Sequence, residues 1–129
     1  MSKGMKFDND KLDYTLVKPE MLEQLALILH YGAKKYDRDN YKLIDNERYM
    51  AALFRHIQAH RKGEKLDSES GYRHLSHALA NVAMMVQNDI DKDLNEMEAE
   101  QNLKVLKKLL DKEAEMCYNS NADTIIGLA

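Results

Sequence analysis

Four histidines and an asparagine fall at helical spacings. His56 and His60 are four residues apart, and His74, His77 and Asn81 follow at intervals of three and four. At about 100° per residue the first pair projects within about 40°, and the second group shares one narrow strip. Two such strips on antiparallel neighbouring helices line one groove, the geometry by which helical bundles build metal and ligand sites. Imidazoles suit a transition ion such as Zn²⁺, Mn²⁺ or Co²⁺ better than Mg²⁺. Between the strips, Glu64, Asp67 and Glu69 offer oxygen ligands for a harder cation. A structural reading competes with this one: histidines at the edge of a core that hydrogen-bond and bridge helices.

Around these residues lie Arg48, Arg55, Arg61 and Arg73, with Lys34, Lys35 and Lys42. The guanidinium fork matches phosphate oxygens bidentately, so the cluster allows phosphate binding as well as a solvated helix surface. Tyr31, Tyr36 and Tyr41 can stack on a base or ribose, or form the rim of a core. Cys117 has no adjacent basic residue to activate it and reads as inert.

The elements that must position these groups are helices. Pro19 suits the first position of a helix over 19 to about 36, with Leu22, Leu25, Ala26, Ile28, Leu29 and Ala33 as its core face. Gly32 interrupts that face and suggests a close backbone approach by a neighbour or a ligand. A polar loop over 37–46 ends in Asp45 or Asn46 as a cap, and a second helix follows over about 47–62 with Met50, Leu53, Phe54 and Ile57 apolar. Gly63 is a left-handed stop. A third helix over 72–88 is expected to bury Leu75, Leu79, Val82 and Val86. From Asp89 the composition turns charged, predicting a separate helix to about 117 and an apolar tail ending Ile125-Ile126-Gly127-Leu128-Ala129. Residues 1–18 read as an extended arm. The fold class expected is all-α, a small bundle of about four helices with a long C-terminal amphipathic helix. Its expected domains are a site-bearing 1–88 and an oligomerisation arm 89–129.

Composition narrows the function classes. At 129 residues, 44% hydrophobic and 32% charged, with one Pro and five Gly, the chain reads as one helix-rich domain with an appended helix. Residues 1–65 carry 13 Lys/Arg against 10 Asp/Glu, and residues 66–129 carry 6 against 12. With a pI near 5.9, that asymmetry is no duplex-binding footprint. One cysteine excludes an intramolecular disulfide and suggests a reducing compartment. No apolar run reaches membrane-span length and the first ten residues are polar, so the expectation is a cytoplasmic protein.

The ordered string Leu12-Asp13-Tyr14, Pro19-Glu20, Tyr31-Gly32-Ala33-Lys34-Lys35-Tyr36, Asn40-Tyr41, Arg48-Tyr49, Arg55-His56, His60, Gly63-Glu64, Asp67, Glu69-Ser70-Gly71, His74-Leu75, His77-Ala78 and Asn81 resembles a family of small phage proteins. That family is named for the dATP/dGTP diphosphohydrolase N-terminal domain. The resemblance covers about residues 11–86. It implies cleavage of a purine deoxynucleoside triphosphate to monophosphate and pyrophosphate, and similarity to the all-α MazG-like pyrophosphohydrolases. Those enzymes hold Mg²⁺ with carboxylate pairs, at positions occupied here by His56 and His60, then His74 and His77. The site the resemblance implies places His56, His60, His74 and His77 on a metal, Mg²⁺ or Mn²⁺ by family, with Zn²⁺ or Co²⁺ suggested by the histidines. Glu64, Asp67 and His77 then serve catalysis, and Arg48, Arg55, Lys35, Tyr36, Asn40 and Asn81 bind substrate. Replacing carboxylates by imidazoles also leaves open a protein that sequesters a nucleotide or nucleotide-derived signal without chemistry, or a purely structural one. The partners expected are a nucleotide and further copies of the chain, a dimer or higher, with no membrane and no duplex nucleic acid.

Overall fold

A proline in the first helical turn sets φ near its helical value without losing a hydrogen bond. The helix α1 starts there, spanning Pro19–Lys35 in the computed structural model. Residues 4–5, 7 and 9–128 are described, with side chains as far as residue 119. The arm before α1 holds a short 3₁₀ turn, Tyr14–Leu16, capped by Asp13. After α1 a second 3₁₀ turn, Asn40–Leu43, occupies the expected polar loop.

The second helix, α2, spans Asn46–Arg61, with Asp45 in the capping position but making no side-chain cap bond. It ends in a Schellman turn: Gly63 N–H donates to His60 O at 2.9 Å and Glu64 N–H to Ala59 O at 3.0 Å. Gly63 sits at φ 93°, a conformation that favours glycine. The connection then tightens into a small loop in which Leu66 and Arg73 form an isolated antiparallel bridge. Asp67 N–H donates to Tyr72 O at 2.7 Å, and His74 N–H to Lys65 O at 3.0 Å.

The last helix, α3, runs His74–Leu128, 55 residues. The expected third and fourth helices are therefore one, and the bundle has three α-helices rather than about four. The reason is local: residues 74–126 contain neither Pro nor Gly, so the change of composition at Asp89 alters the surface without breaking the backbone. The fold is all-helical, with no strand among the described residues. Two compact units divide the chain, Met1–Met85 and Val86–Ala129. The side chains of the apolar tail from Ile125 lie outside the described residues.

Within the first unit, α3 is divided lengthwise by its 100° step. One flank, Ser76 and Ala80, is buried, and Ser76 Oγ donates to Gln24 Oε1 of α1 at 2.6 Å. The other flank, His74, Ala78 and Met85, is also buried, with His74 against His56 of α2. Between the flanks, His77, Asn81 and Met84 face a cleft. The remaining face carries the residues expected in the core: Leu75, Leu79, Val82 and Val86 are 46%, 41%, 42% and 51% exposed. Small Ser and Ala side chains, not large aliphatic ones, form the close helix contacts, and that is what overturns the expectation. Leu22 and Leu29 of α1 and Met50 and Phe54 of α2 are likewise exposed, and Ile28 is the buried aliphatic of α1.

Of the two partners expected to approach Gly32, a neighbour is not found, since an added Cβ there meets no atom within 4 Å. Gly32 lies on the cleft wall. Two substitutions of opposite sign follow. Gly32→Ala stabilises α1 by up to about 1 kcal/mol through helix propensity, while Gly63→Ala costs about 1–2 kcal/mol because its left-handed backbone opposes a Cβ. Urea unfolding followed by far-ultraviolet circular dichroism measures both, with the midpoint rising in the first variant and falling in the second.

Candidate functional site

The cleft of the first unit has a volume of about 770 Å³, within the range of small-molecule sites. Its cationic lining comes from Lys35 at the end of α1, Arg38 in the following loop, and Arg48 and Arg55 on one face of α2. Arg38, Arg48 and Arg55 make no salt bridge among the described residues. Lys35 does, meeting Glu69 at 2.7 Å, and the Tyr31 hydroxyl reaches the same carboxylate at 3.5 Å. Both side chains of the Lys35–Glu69 pair are well exposed, so the pair orients the loop more than it stabilises the fold. Tyr31, Tyr36, Tyr41 and Tyr49 supply aromatic surface to the cleft, and Asn40 and Asn81 supply amides.

At the inner end the imidazoles meet. His56 Nδ1 and His74 Nδ1 are 2.8 Å apart. The rings of His56 and His77 stack in parallel, 4.5 Å between centroids and 5° between planes. Asp67 joins them: one ligating atom from each of His56, Asp67 and His74 lies within 4.8 Å of the others, spacing that can hold a metal ion. His74 is 5% exposed, and its Nε2 is buried without a hydrogen bond. Glu64 Oε1 stands 3.4 Å from that nitrogen, within ion-pair range but not aligned as a hydrogen bond.

Ser70 fixes the protonation of His77. Its hydroxyl has one proton and lies 2.9 Å from Asp67 Oδ2 and 2.7 Å from His77 Nε2. An ionised Asp67 only accepts, so Ser70 donates to it and accepts from a protonated His77 Nε2. The Tyr72 N–H, 3.2 Å away, fills the second lone pair of the hydroxyl. A neutral His77 consequently keeps its lone pair on Nδ1. Asn81, 8% exposed, donates its amide to His77 O at 3.0 Å.

Burial pushes His77 below the ordinary histidine range, against the opposing pull of Asp67. It does the same to His56, where the neighbouring His77 and His74 add to the effect. Burial alone would raise Asp67, but the Ser70 N–H and hydroxyl, with His77 and His56, outweigh it and hold the carboxyl below its usual range.

Of the residues singled out from sequence, His56, Asp67, His77, Asn81, Arg48, Arg55, Lys35, Tyr36 and Asn40 line the cleft. His74 belongs to the metal-competent group without lining the cleft, and Glu64 stands beside its Nε2. His60 is exposed and joins neither the cleft lining nor the metal-competent group. Ser70, quoted in the ordered string, carries no role in the sequence reading. Its signal was a serine three residues after Asp67 in a turn-rich segment, where Ser70 N–H bonds Asp67 Oδ2 at 2.9 Å.

Both histidines have folded values below the unfolded value of 6.5, so the unfolded chain binds protons first as pH falls. Their contribution is complete above about pH 6.5 and is lost as pH drops through the folded values. Asp67 adds a loss of the same sign, beginning near its unfolded value of 3.8. Chelator-treated protein is therefore expected to hold its thermal midpoint near pH 7–8 and lose it progressively below about pH 6.5. In His77→Gln that loss becomes shallower.

Comparison with known proteins agrees with the resemblance. A dATP/dGTP diphosphohydrolase of Salmonella phage PMBT28 is 34% identical over 79 residues, which make up 61% of this chain and 27% of that protein. The chain therefore spans less than a third of the length of that curated relative. No solved structure matches it. The family described as dATP/dGTP diphosphohydrolase, N-terminal, matches residues 1–98, which include every residue of the cleft and the histidine cluster, and the chain belongs to that family.

Proposed function

We propose that this chain carries a nucleotide pyrophosphohydrolase site that cleaves dATP or dGTP to the monophosphate and pyrophosphate with a divalent ion. One observation carries the reading: a metal-competent His56–Asp67–His74 group stands at a cleft lined by three guanidinium groups that make no salt bridge among the described residues. The family description and the named phage relative supply the substrate class.

Arg48 and Arg55, with Arg38, hold the triphosphate through bidentate contacts. Tyr36 and Asn40, which also line the cleft, take the sugar and base. His77 Nδ1 takes the proton of the attacking water, since Nε2 is committed to Ser70. Water adds at the α-phosphorus, the bond to the bridging oxygen of the β-phosphate breaks, and the arginines retain the pyrophosphate that leaves. His56, Asp67 and His74 fit a divalent ion, because two imidazoles and a carboxylate converge around a buried histidine nitrogen with no hydrogen bond. When bound, such an ion neutralises phosphate charge and lowers the pKa of water.

Incubation with a deoxynucleotide panel and divalent metals, followed by anion-exchange chromatography, tests this. Pyrophosphate release from dATP and dGTP is the expected result. His77→Gln lowers kcat about 10²–10⁴-fold with helical circular dichroism retained. Nucleotide that is bound tightly and recovered intact overturns hydrolysis in favour of sequestration.

We also propose that further copies of the chain cover the outer face of α3. Leu75, Leu79 and Val82 form an apolar stripe that is more than 40% exposed, and the buried hydrophobic set of the described residues is only Ile28, Ala78, Ala80 and Met85. Exposure on this scale marks an interaction surface. Light scattering is expected to give a dimer or larger, and Leu79→Glu a monomer; a wild-type monomer overturns the proposal.

A further inference from the structure

We infer that the ion taken by this cluster is a first-row transition ion bound through His56 Nδ1, His74 Nδ1 and the Asp67 carboxylate, with Glu64 holding His74 from behind. The inference deepens the functional reading and rests on it for the ion's purpose, though not for its binding.

Two imidazole nitrogens 2.8 Å apart either share a proton or share a cation. The buried His74 Nε2 favours the cation. An N–H buried without an acceptor is costly, and Glu64 Oε1, 3.4 Å away, is the carboxylate facing it. A histidine that ligates through one nitrogen characteristically donates its other N–H to a carboxylate, which fixes the tautomer and strengthens the ligand. The Glu64–His74 pair approaches that arrangement: the carboxylate stands 3.4 Å from Nε2, short of an aligned hydrogen bond, while Nδ1 is turned toward His56. The Schellman turn at Gly63 supplies the placement of Glu64.

The donor set then selects the metal. Mg²⁺ demands oxygen ligands in a near-octahedral shell, whereas imidazole suits Mn²⁺, Fe²⁺, Co²⁺ or Zn²⁺. Asp67 Oδ2 is occupied by the Ser70 N–H and hydroxyl, leaving Oδ1 for an ion. Glu69, further along that loop, is engaged through Oε1 by Lys35 and Tyr31 and is not part of the group. One available carboxylate oxygen beside two nitrogens is a poor Mg²⁺ site and a good transition-metal site. Glu64 accordingly acts as a positioning residue, where the sequence reading has it serving catalysis.

Cobalt titration of the full chain, stripped with chelator and free of nucleotide, tests both parts. Visible ligand-field bands are expected to saturate at one equivalent. They should survive a roughly thousand-fold excess of Mg²⁺ and disappear on adding Zn²⁺. Mg²⁺ displacing cobalt at comparable concentration, or no bands at all, overturns the inference. His56→Gln should lose the bands while keeping its circular dichroism, and His30→Ala, on the exposed part of α1, should keep them; the reverse pattern places the ion elsewhere. Glu64→Ala should weaken cobalt binding about 10–100-fold, with Glu64→Gln partly restoring it because its carbonyl still accepts from Nε2. Equal affinity in all three overturns the role of Glu64. Because the spectrum is read without nucleotide, loss of turnover with intact bands indicts the substrate reading alone, and turnover without bands indicts the metal assignment alone.

Discussion

Two helices meet here through a pair of imidazole nitrogens 2.8 Å apart, and the geometry of the site depends on that contact. The same flank of α3 carries the buried Ala78, one turn from His74, so a small side chain accompanies the histidine on that side. The stacked His77, the Ser70 hydroxyl and the Asp67 carboxylate then follow in sequence, each held by the one before. The polar network is nearly closed on itself, and its one unsatisfied buried atom is the nitrogen that faces Glu64. A network with one open valence is where an additional ligand is most favoured.

The first turns of α3 serve three surfaces at once. Small side chains on two flanks set the spacing to α1 and α2, the polar strip between them lines the cleft, and the aliphatic face turns away. This division inverts the usual amphipathic helix, in which large aliphatic residues mark the buried side. A helix that must hold a polar cleft against its own bundle cannot spend that face on leucines.

Much of this was legible in the residues. Pro19 and Gly63 set the start of α1 and the end of α2, and the spacing of four placed His77 and Asn81 on one cleft-facing strip, with His74 on the neighbouring flank against α2. Two features were not legible, each for a physical reason. Periodicity identifies an apolar face but not whether its partner lies within the chain, so Leu75, Leu79 and Val82 were assigned inward. The charge change at Asp89 mimicked a boundary, although only a backbone-breaking residue would have created one. Spacing of four also put His60 beside His56, yet one turn further along α2 carries it out of the cleft. Position along the helix axis, which angular arithmetic ignores, decided that case.

The contacts of the site also differ in how much chain they close. Ser70 and His77 are 7 residues apart, His56 and His74 are 18, and the α1 wall is joined to α3 through Gln24 and Ser76 across 52. Closing the longest of these costs about 1 kcal/mol more chain entropy than the histidine pair. The ligand-bearing hairpin is therefore the topologically local part of the unit, and the wall that completes the cleft is its distant part. In the unfolded ensemble the residues with the chemistry are already near neighbours, so the conformational search that completes this unit is chiefly a search by α1.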